Sequence, residues 1–218
     1  MKLAILKSIP YAFIAVIVMI AACATPIAAD EWKPLFDGKS IDGWKAVHGS
    51  KDSWKTEDGV LFCTGKGGGW LSTAKEYGNF ELELEYRLPP AGNSGVFIRS
   101  PHVEAAHIDG MEIQVLDDND PEYATIKPTQ HCGSVYGVQA AKTGHTKKPG
   151  EWQKMAIVAN GSKIKVTLNG TVVVDTDLKD HQDVAAMHPG IKRDKGYIGL
   201  QNHGSRLDYR NVKIRELP

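Results

Sequence analysis

This 218-residue sequence lacks an excess of positive charge, a closely spaced pair of cysteines and long amphipathic helices. Lysine and arginine number 26, acidic residues also number 26, and the densest basic stretch is only the pair Lys147-Lys148. Because binding to nucleic-acid phosphates needs a basic excess or a basic stripe, this balance argues against a nucleic-acid partner. No stretch of three helical turns has the apolar spacing of an amphipathic helix, which leaves strands as the main element.

Cysteine is scarce, at three residues, and none lies in a Cys-x-x-Cys spacing. That absence argues against a structural zinc site and against a redox pair. Two interpretations of Cys63 and Cys132 stay open. They form a disulfide, which an oxidising compartment permits, or they are two buried small hydrophobic side chains.

Two familiar catalytic loops are also missing. Gly67-Gly68-Gly69 is followed by Trp70, with no Lys-Ser/Thr and no helix start, so it is not a phosphate-binding loop. Ser94 stands in Asn-Ser-Gly-Val, which lacks the nucleophile-elbow pattern, and no triad accompanies it. A serine hydrolase is therefore excluded.

The N-terminal segment differs in composition from the rest of the chain. Lys2 and Lys7 precede an uncharged apolar run over residues 12–23. This run is too short for a membrane-spanning helix and has the pattern of a secretory signal. We therefore expect residues 1–29 to be a signal with a short tether and residues 30–218 to form a single exported domain.

A lipid anchor is expected within that signal. The sequence Ile-Ala-Ala-Cys ending at Cys23 resembles the bacterial lipobox, and Ala28-Ala29 offers a rival cleavage site. We expect a periplasmic protein or an outer-membrane lipoprotein, with a lipid on Cys23 as its only contact with the membrane.

The mature chain has the pattern of short antiparallel strands. Residues 80–88 alternate apolar and charged side chains with a period of two, which is the clearest strand signal. Asp58-Gly59, Asn160-Gly161 and Asn169-Gly170 are hairpin dipeptides. Further strands are predicted at residues 54–57, 60–63, 95–99, 111–116, 134–138, 155–159, 163–168, 171–175, 197–201 and 207–215, with a short helical turn within 177–187. Since so many strands must close on themselves or pair as two sheets, we predict an all-β antiparallel sandwich of the jelly-roll type.

Several segments, in a fixed order, resemble one known family, the 3-keto-disaccharide hydrolases. They are residues 35–44, 54–61, 67–71, 80–87, 92–99, 112–117, 196–201, 203–204 and 209–214. Each motif alone is weak, but their order is specific, and the resemblance covers almost all of residues 31–218. It implies a concanavalin A-like lectin/glucanase sandwich and sugar substrates oxidised at carbon 3.

The implied chemistry is an elimination. A ketone at carbon 3 makes the proton on carbon 2 acidic, so a base can remove it and form an enolate. The aglycone on carbon 1 then leaves, and water adds back to complete a net hydrolysis. Such a site needs a base, a group that stabilises the enolate oxygen and an acid for the leaving group.

Glu112 is the first candidate for the base. Glu112 and Gln114 share one face of a strand whose other face is apolar, as in a sugar-binding concavity. A plain solvent-facing side of an antiparallel strand is the alternative, and the resemblance favours the site. His203, on a turn after a strand, is the second candidate for the base.

Arg99 completes the predicted catalytic set, because its guanidinium suits a developing enolate or sugar hydroxyls. We expect the sugar to be bound by Gln114, Trp70, Asn93, Tyr136, Gln201 and His131. The two aromatic residues among them would stack on pyranose faces. The sequence has eight histidines and several carboxylates in predicted loops, and His107 and Asp109 lie in one such loop. These groups are compatible with a divalent cation that would stabilise an enolate, but no recognised ligand spacing identifies a metal site.

The sequence thus predicts a carbohydrate-active enzyme that cleaves 3-keto-glycosides, by elimination and rehydration or by direct hydrolysis. The alternative is a lectin-like module that binds carbohydrate without catalysis. An enzyme needs an ionisable residue at the floor of its groove, whereas a lectin needs only aromatic and amide side chains. The two functions therefore differ most sharply at Glu112.

Overall fold

The computed structural model describes residues 31–218, so the predicted signal and Cys23 lie outside the described residues. Thirteen strands occur in this part of the chain: β1 (Lys33–Pro34), β2 (Trp44–Val47), β3 (Trp54–Glu57), β4 (Val60–Cys63), β5 (Trp70–Thr73), β6 (Phe80–Arg87), β7 (Asn93–Ser100), β8 (Met111–Leu116), β9 (Gln153–Asn160), β10 (Lys163–Leu168), β11 (Thr171–Asp177), β12 (Tyr197–Gln201) and β13 (Leu207–Glu216). The helices are α1 (Ala106–Asp109) and the 3-10 turns Lys51–Ser53, Pro121–Tyr123, Pro128–Gln130, Leu178–His181 and Pro189–Lys192. None of the helices within residues 31–218 has the length and apolar character needed to cross a membrane.

The strands form two antiparallel sheets. The larger sheet has eight strands in the order β11-β10-β9-β6-β13-β4-β3, with β1 paired to β13. The smaller sheet has five strands in the order β2-β5-β12-β7-β8. The prediction of an all-β antiparallel sandwich is confirmed.

Period-two alternation places the core between the sheets. On β6, Phe80, Leu82, Leu84 and Tyr86 are buried, while the charged residues between them lie on the outer face. Apolar side chains of the smaller sheet, such as Ile113 of β8, pack in the same cluster. Burial of this apolar surface is the main stabilising term of the fold.

Both faces of β7 and of the edge strand β8 in the smaller sheet are buried. Every residue of β8 is buried, as is every residue of β7 after Asn93. Since the second face of these strands carries Glu112 and Gln114, its burial shows that surrounding loops and α1 cover it. This covered outer face is where polar side chains are enclosed.

Two of the predicted hairpins have the required backbone. Asp58 and Gly59 have φ values of 48° and 79°, and Asn169 and Gly170 have 50° and 89°. Two successive residues with positive φ give the turn whose twist matches antiparallel strands. These turns join β3 to β4 and β10 to β11.

The segment at residues 134–138 is not a strand, as predicted, but part of a loop. Val135 makes only isolated bridges to Ile113 and Gln139. Gly133 and Gly137 on either side have φ values of 85° and 70°, which interrupt an extended run. The expected helical turn within 177–187 is present as the 3-10 turn Leu178–His181.

Of the two interpretations that the sequence left open for the cysteines, the structure supports buried small side chains and not a disulfide. Cys63 and Cys132 are both free and buried. The Sγ atom of Cys132 lies 3.2 Å from the hydroxyl of Tyr86, and Cys63 Sγ lies 3.2 Å from the carbonyl of Ser205. Burial raises the pKa of the Cys132 thiol to about 12, so the group is neutral and inert.

Candidate functional site

A cavity of about 340 Å³ opens on the outer face of the five-stranded sheet. Its volume is within the range of small-molecule sites. Seven of the nine predicted site residues line it: Glu112, His203, Gln114, Trp70, Asn93, Tyr136 and Gln201. Strand register brings several of them together, because Phe97 and Glu112 are paired on β7 and β8, as are Gln201 and Trp70 on β12 and β5.

Glu112 forms the floor of the cavity. Its exposed fraction is 4%, and burial raises the pKa of its carboxyl group to about 8. Desolvation disfavours the charged form, so the free site holds this carboxyl largely protonated at neutral pH. A buried carboxyl with a raised pKa, in a cleft, is the feature most typical of an acid–base catalyst.

A glycine makes the recess that holds this carboxyl group. Gly95 on β7 pairs with Gln114 on β8, and a Cβ atom at position 95 would overlap the carboxylate of Glu112. The sequence Asn-Ser-Gly-Val therefore supplies space at the cavity floor. Its glycine is needed for a close approach, not for a turn.

Gln114 fixes the carboxyl group from the side. With its amide oriented to satisfy both neighbours, its nitrogen donates to Glu112 Oε1 at 3.2 Å and to the Ser94 carbonyl at 3.1 Å. Both amide hydrogens are then engaged within the protein. The two contacts orient the Gln114 amide on the surface of the cavity.

Tyr136 and His107 form one wall. The backbone N–H of Tyr136 donates to the Glu112 carbonyl at 2.9 Å, and the two rings meet edge to face with centroids 5.8 Å apart. His107 lies on α1, directly before β8, and its burial and the neighbouring His188 and His203 lower its pKa. The sequence pattern assigns no specific role to His107, although its position directly before the strand that carries Glu112 is a signal that it lies near the site.

Trp70 forms part of the opposite wall and is not an open stacking platform. Its exposed fraction is 2%, and its indole N–H donates to the Val103 carbonyl at 3.2 Å. The ring packs edge to face on Phe97, with centroids 5.4 Å apart, and over Gly199, where any Cβ would overlap it. Trp70 therefore shapes the site and presents little ring face to a ligand.

The end of β12 brings an amide and a histidine to the cavity. The Oε1 atom of Gln201 is buried and has no hydrogen-bond partner among residues 31–218, and the residue lines the cavity. Asn202 holds the following turn by accepting from Gly204 N–H at 3.4 Å and donating to the Lys66 carbonyl at 2.7 Å. His203, on that turn, is exposed and lines the cavity.

The placement expected for Arg99 is wrong, and a β-bulge is the reason. Between the pairs Gly199–Phe97 and Tyr197–Ser100, β7 has one residue more than β12, and Arg99 has a φ of 49°. Simple alternation would place the Arg99 side chain on the same face of β7 as Phe97, and the bulge turns it away from that face.

The Arg99 side chain instead ties three loops together. The guanidinium, 1% exposed, donates to the carbonyls of Gly78 at 3.0 Å, Gly161 at 2.7 Å and Arg193 at 3.3 Å. All three acceptors lie outside the cavity lining.

His131 also lies outside the cavity lining, contrary to expectation. Its Nδ1 atom lies 3.2 Å from Asp118 Oδ1, which also accepts from the Cys132 backbone N–H at 2.9 Å. The histidine is thereby held in a loop contact with Asp118.

The charge of the cavity suits a neutral polar ligand. None of the described residues that line it is a lysine or an arginine. The lining instead combines the carboxyl groups of Glu104 and Glu112 with amides and histidines. Within residues 31–218, no group of three or more His, Cys, Asp or Glu side chains is arranged to hold a metal ion.

Comparison with known proteins shows which family this chain resembles along its length. A family model described as a 3-keto-alpha-glucoside-1,2-lyase-like domain matches residues 31–215. The 3-keto-disaccharide hydrolase of Bacteroides thetaiotaomicron is 30% identical, in an alignment covering 88% of this chain and 80% of that protein. A solved structure from Parabacteroides distasonis, of a protein provisionally named a glycosyl hydrolase, is 34% identical with a TM-score of 0.76 and covers 86% of this chain and 100% of its own.

A more distant likeness concerns the fold alone. The carbohydrate-binding module CBM66 from Bacillus subtilis is 16% identical, with a TM-score of 0.53 over 80% of this chain and 96% of that one. Because function depends on the site and not on the sandwich, this likeness assigns no activity. The family model spans nearly the whole described chain, and the chain therefore belongs to the 3-keto-alpha-glucoside-1,2-lyase-like family.

Proposed function

We propose that this protein is a carbohydrate-active enzyme that cleaves 3-keto-glycosides, with Glu112 as the base that removes the proton on carbon 2. The observation that carries the proposal is the buried Glu112 carboxyl, with its pKa raised to about 8, at the floor of a cavity lined by amides. Family membership and the name of the Bacteroides thetaiotaomicron relative support the substrate class.

The environment of Glu112 favours its action as a base. A carboxylate that has lost its water shell is more basic than one in solution, and catalysis is most efficient when the base has a pKa near the operating pH. Gln114 holds one carboxyl oxygen by a 3.2 Å hydrogen bond, which fixes the direction of attack. The second oxygen is left to meet the substrate.

The reaction follows in balanced steps. The Glu112 carboxylate takes the proton from carbon 2, and the electron pair of that bond forms the enolate with the carbonyl at carbon 3. The enolate then collapses, a double bond forms between carbons 1 and 2, and the bond from carbon 1 to the aglycone oxygen breaks. The aglycone oxygen takes a proton and leaves as an alcohol.

The second half-reaction adds water. The hydroxyl of water bonds to carbon 1, a proton bonds to carbon 2, and the sum is hydrolysis. Release of the unsaturated sugar before water adds would make the protein a lyase. His203, exposed at the cavity mouth, is the proposed proton donor to the leaving aglycone.

Neutral sugars are the ligands that the lining favours. Gln114, Gln201 and Asn93 all line the cavity, and we assign their amide groups to hydrogen bonds with sugar hydroxyls. Without a lysine or arginine among the described lining residues, a phosphate or carboxylate on the sugar would lack a charge partner.

The test is aglycone release from a panel of 3-keto-glucosides and their unoxidised parents, by wild type and by Glu112→Gln. We expect release from the keto sugars only, with Glu112→Gln binding the sugar but losing turnover. Sugar binding without release from any member would favour the lectin-like alternative instead. Analysis of the products, as free keto sugar or as unsaturated sugar, separates hydrolase from lyase.

We also propose export to the periplasm with a lipid on Cys23, which the charged start and the apolar run of residues 12–23 support. Metabolic labelling with a radioactive fatty acid would label the wild type and leave Cys23→Ala unlabelled. Equal labelling of both, or of neither, would contradict the anchor.

A further inference from the structure

The hydrogen-bond polarity around Gln130 fixes the direction of the Tyr136 hydroxyl proton. The backbone N–H of Lys127 donates to Gln130 Oε1 at 2.9 Å, at the start of the 3-10 turn Pro128–Gln130. This contact identifies the amide oxygen, so the atom facing Tyr136 is the nitrogen. Gln130 Nε2 then donates to the Tyr136 hydroxyl at 2.8 Å.

As a consequence, the Tyr136 oxygen is an acceptor toward Gln130 and its own proton must point elsewhere. The hydroxyl has no second hydrogen-bond partner among the described residues, and Tyr136 lines the cavity. The phenol therefore offers a free O–H donor to whatever occupies the site.

The position of the phenol relative to the base is also fixed. The Tyr136 backbone N–H donates to the Glu112 carbonyl at 2.9 Å, which ties the two residues together through the main chain. The His107 ring packs edge to face against the phenol with centroids 5.8 Å apart. The main-chain hydrogen bond, the ring contact and the amide donor together hold the hydroxyl in place in the cavity that Glu112 also lines.

An enolate needs a donor at its oxygen, and the cavity supplies none that is permanently charged. Arg99, the residue expected for this role, has its guanidinium on three backbone carbonyls elsewhere. No lysine or arginine is among the described residues of the lining. Donors held in advance at the place where charge develops stabilise a transition state strongly without carrying a charge themselves.

We propose that Tyr136 is a catalytic residue whose hydroxyl donates a hydrogen bond to the carbonyl oxygen on carbon 3 and stabilises the enolate. This role rests on the proposed function. As Glu112 removes the proton from carbon 2, negative charge moves onto the carbonyl oxygen and the hydrogen bond from Tyr136 strengthens. The phenol keeps its proton throughout, so the proton balance of the elimination is unchanged.

The first experiment compares Tyr136→Phe with wild type and with Tyr77→Phe, on a 3-keto-glucoside. Tyr77 is a buried tyrosine outside the cavity lining, so it controls for loss of a hydroxyl as such. We expect Tyr136→Phe to lower kcat by about 100-fold, the size seen when one oxyanion donor is removed, with KM changed by less than about threefold. Tyr77→Phe should retain the wild-type kcat.

A second variant tests the direction of the hydrogen bond between Gln130 and Tyr136. In Gln130→Glu the carboxylate still accepts from Lys127 but also accepts the Tyr136 proton, which turns the donor away from the cavity. We expect a loss of kcat similar to that of Tyr136→Phe although the phenol is present. Gln139→Glu adds the same charge outside the cavity lining and should leave kcat unchanged.

The outcomes separate the two proposals. A wild type that leaves keto-glucosides intact overturns the proposed function and the role of Tyr136 with it. A wild type that cleaves them, together with a Tyr136→Phe variant of unchanged kcat, overturns only the role of Tyr136. A Tyr136→Phe variant that loses sugar affinity as much as turnover also overturns it, since the hydroxyl would then only bind.

Discussion

Gly95 on β7 lies against the carboxyl group of Glu112 on β8, in the space that any side chain at position 95 would occupy. The recess holds the carboxyl inside the sheet surface, where burial raises its pKa to about 8. The glycine thus acts on the chemistry through its lack of a side chain.

Replacing this glycine should therefore disturb the base directly. In Gly95→Ala the new methyl group displaces the Glu112 carboxyl, and we expect kcat to fall at least about tenfold with a loss of about 1–3 kcal/mol in stability from overpacking. Turnover and urea unfolding measure the two effects. Gly78→Ala is the control, because a Cβ at position 78 comes no nearer than 3.3 Å to another residue. Equal kcat values in both variants would contradict the positioning role.

The pH dependence of turnover should follow the ionisation of Glu112. A base acts when it is deprotonated, and its pKa in the empty site is about 8. We expect kcat/KM for a keto-glucoside to rise with pH over the range from about pH 6 to pH 9, because this quantity follows the free enzyme. If kcat/KM were already independent of pH from about pH 5 upward, the catalytic base would be another group with an ordinary carboxyl pKa.

Stability should depend on pH in the opposite direction. The Glu112 pKa is raised in the folded state from 4.5 to about 8, so the folded protein binds more protons between these values. The associated stability, on the order of 5 kcal/mol, is fully present below the unfolded pKa and is lost as pH rises through the folded pKa.

The comparison of Glu112→Gln with wild type isolates the pH-dependent contribution of Glu112 to the free energy of unfolding. The neutral amide has no proton to lose, so we expect the variant to unfold at a higher temperature than wild type at about pH 9 and to approach it at about pH 5. Differential scanning calorimetry at both pH values gives the measurement. If the unfolding temperatures of the two proteins differed by the same amount at both pH values, Glu112 would have an ordinary carboxyl pKa in the folded protein.

Arg99 should matter for folding and not for chemistry. Arg99→Met removes the buried guanidinium and leaves the carbonyls of three loops without this donor, and we expect a loss of about 3 kcal/mol in urea unfolding, with kcat of the folded variant unchanged. The exposed Arg206 is the matched site, where the same substitution should cost about 1 kcal/mol or less. A large fall in kcat without loss of stability would show that Arg99 acts in catalysis.

Alternation along strands made much of this site predictable from sequence. It placed Glu112 and Gln114 on one face, and the structure encloses both in the cavity. It failed at Arg99 because a bulge adds one residue to β7, which a period of two cannot detect. Gln130 was not foreseen, and His107 was named only as a loop residue compatible with a cation. The two residues reach the cavity from a 3-10 turn and a short helix, where spacing along the chain does not determine direction.

The central claim is that the proton on carbon 2 is removed before the aglycone leaves. A 3-keto-glucoside carrying deuterium at carbon 2 tests it in one reaction, through the rate of aglycone release and the label left in the sugar. We predict slower release than from the unlabelled substrate and a product that has lost its deuterium, with neither change in substrate incubated with Glu112→Gln. Equal rates, with the deuterium fully retained at carbon 2, would contradict the account.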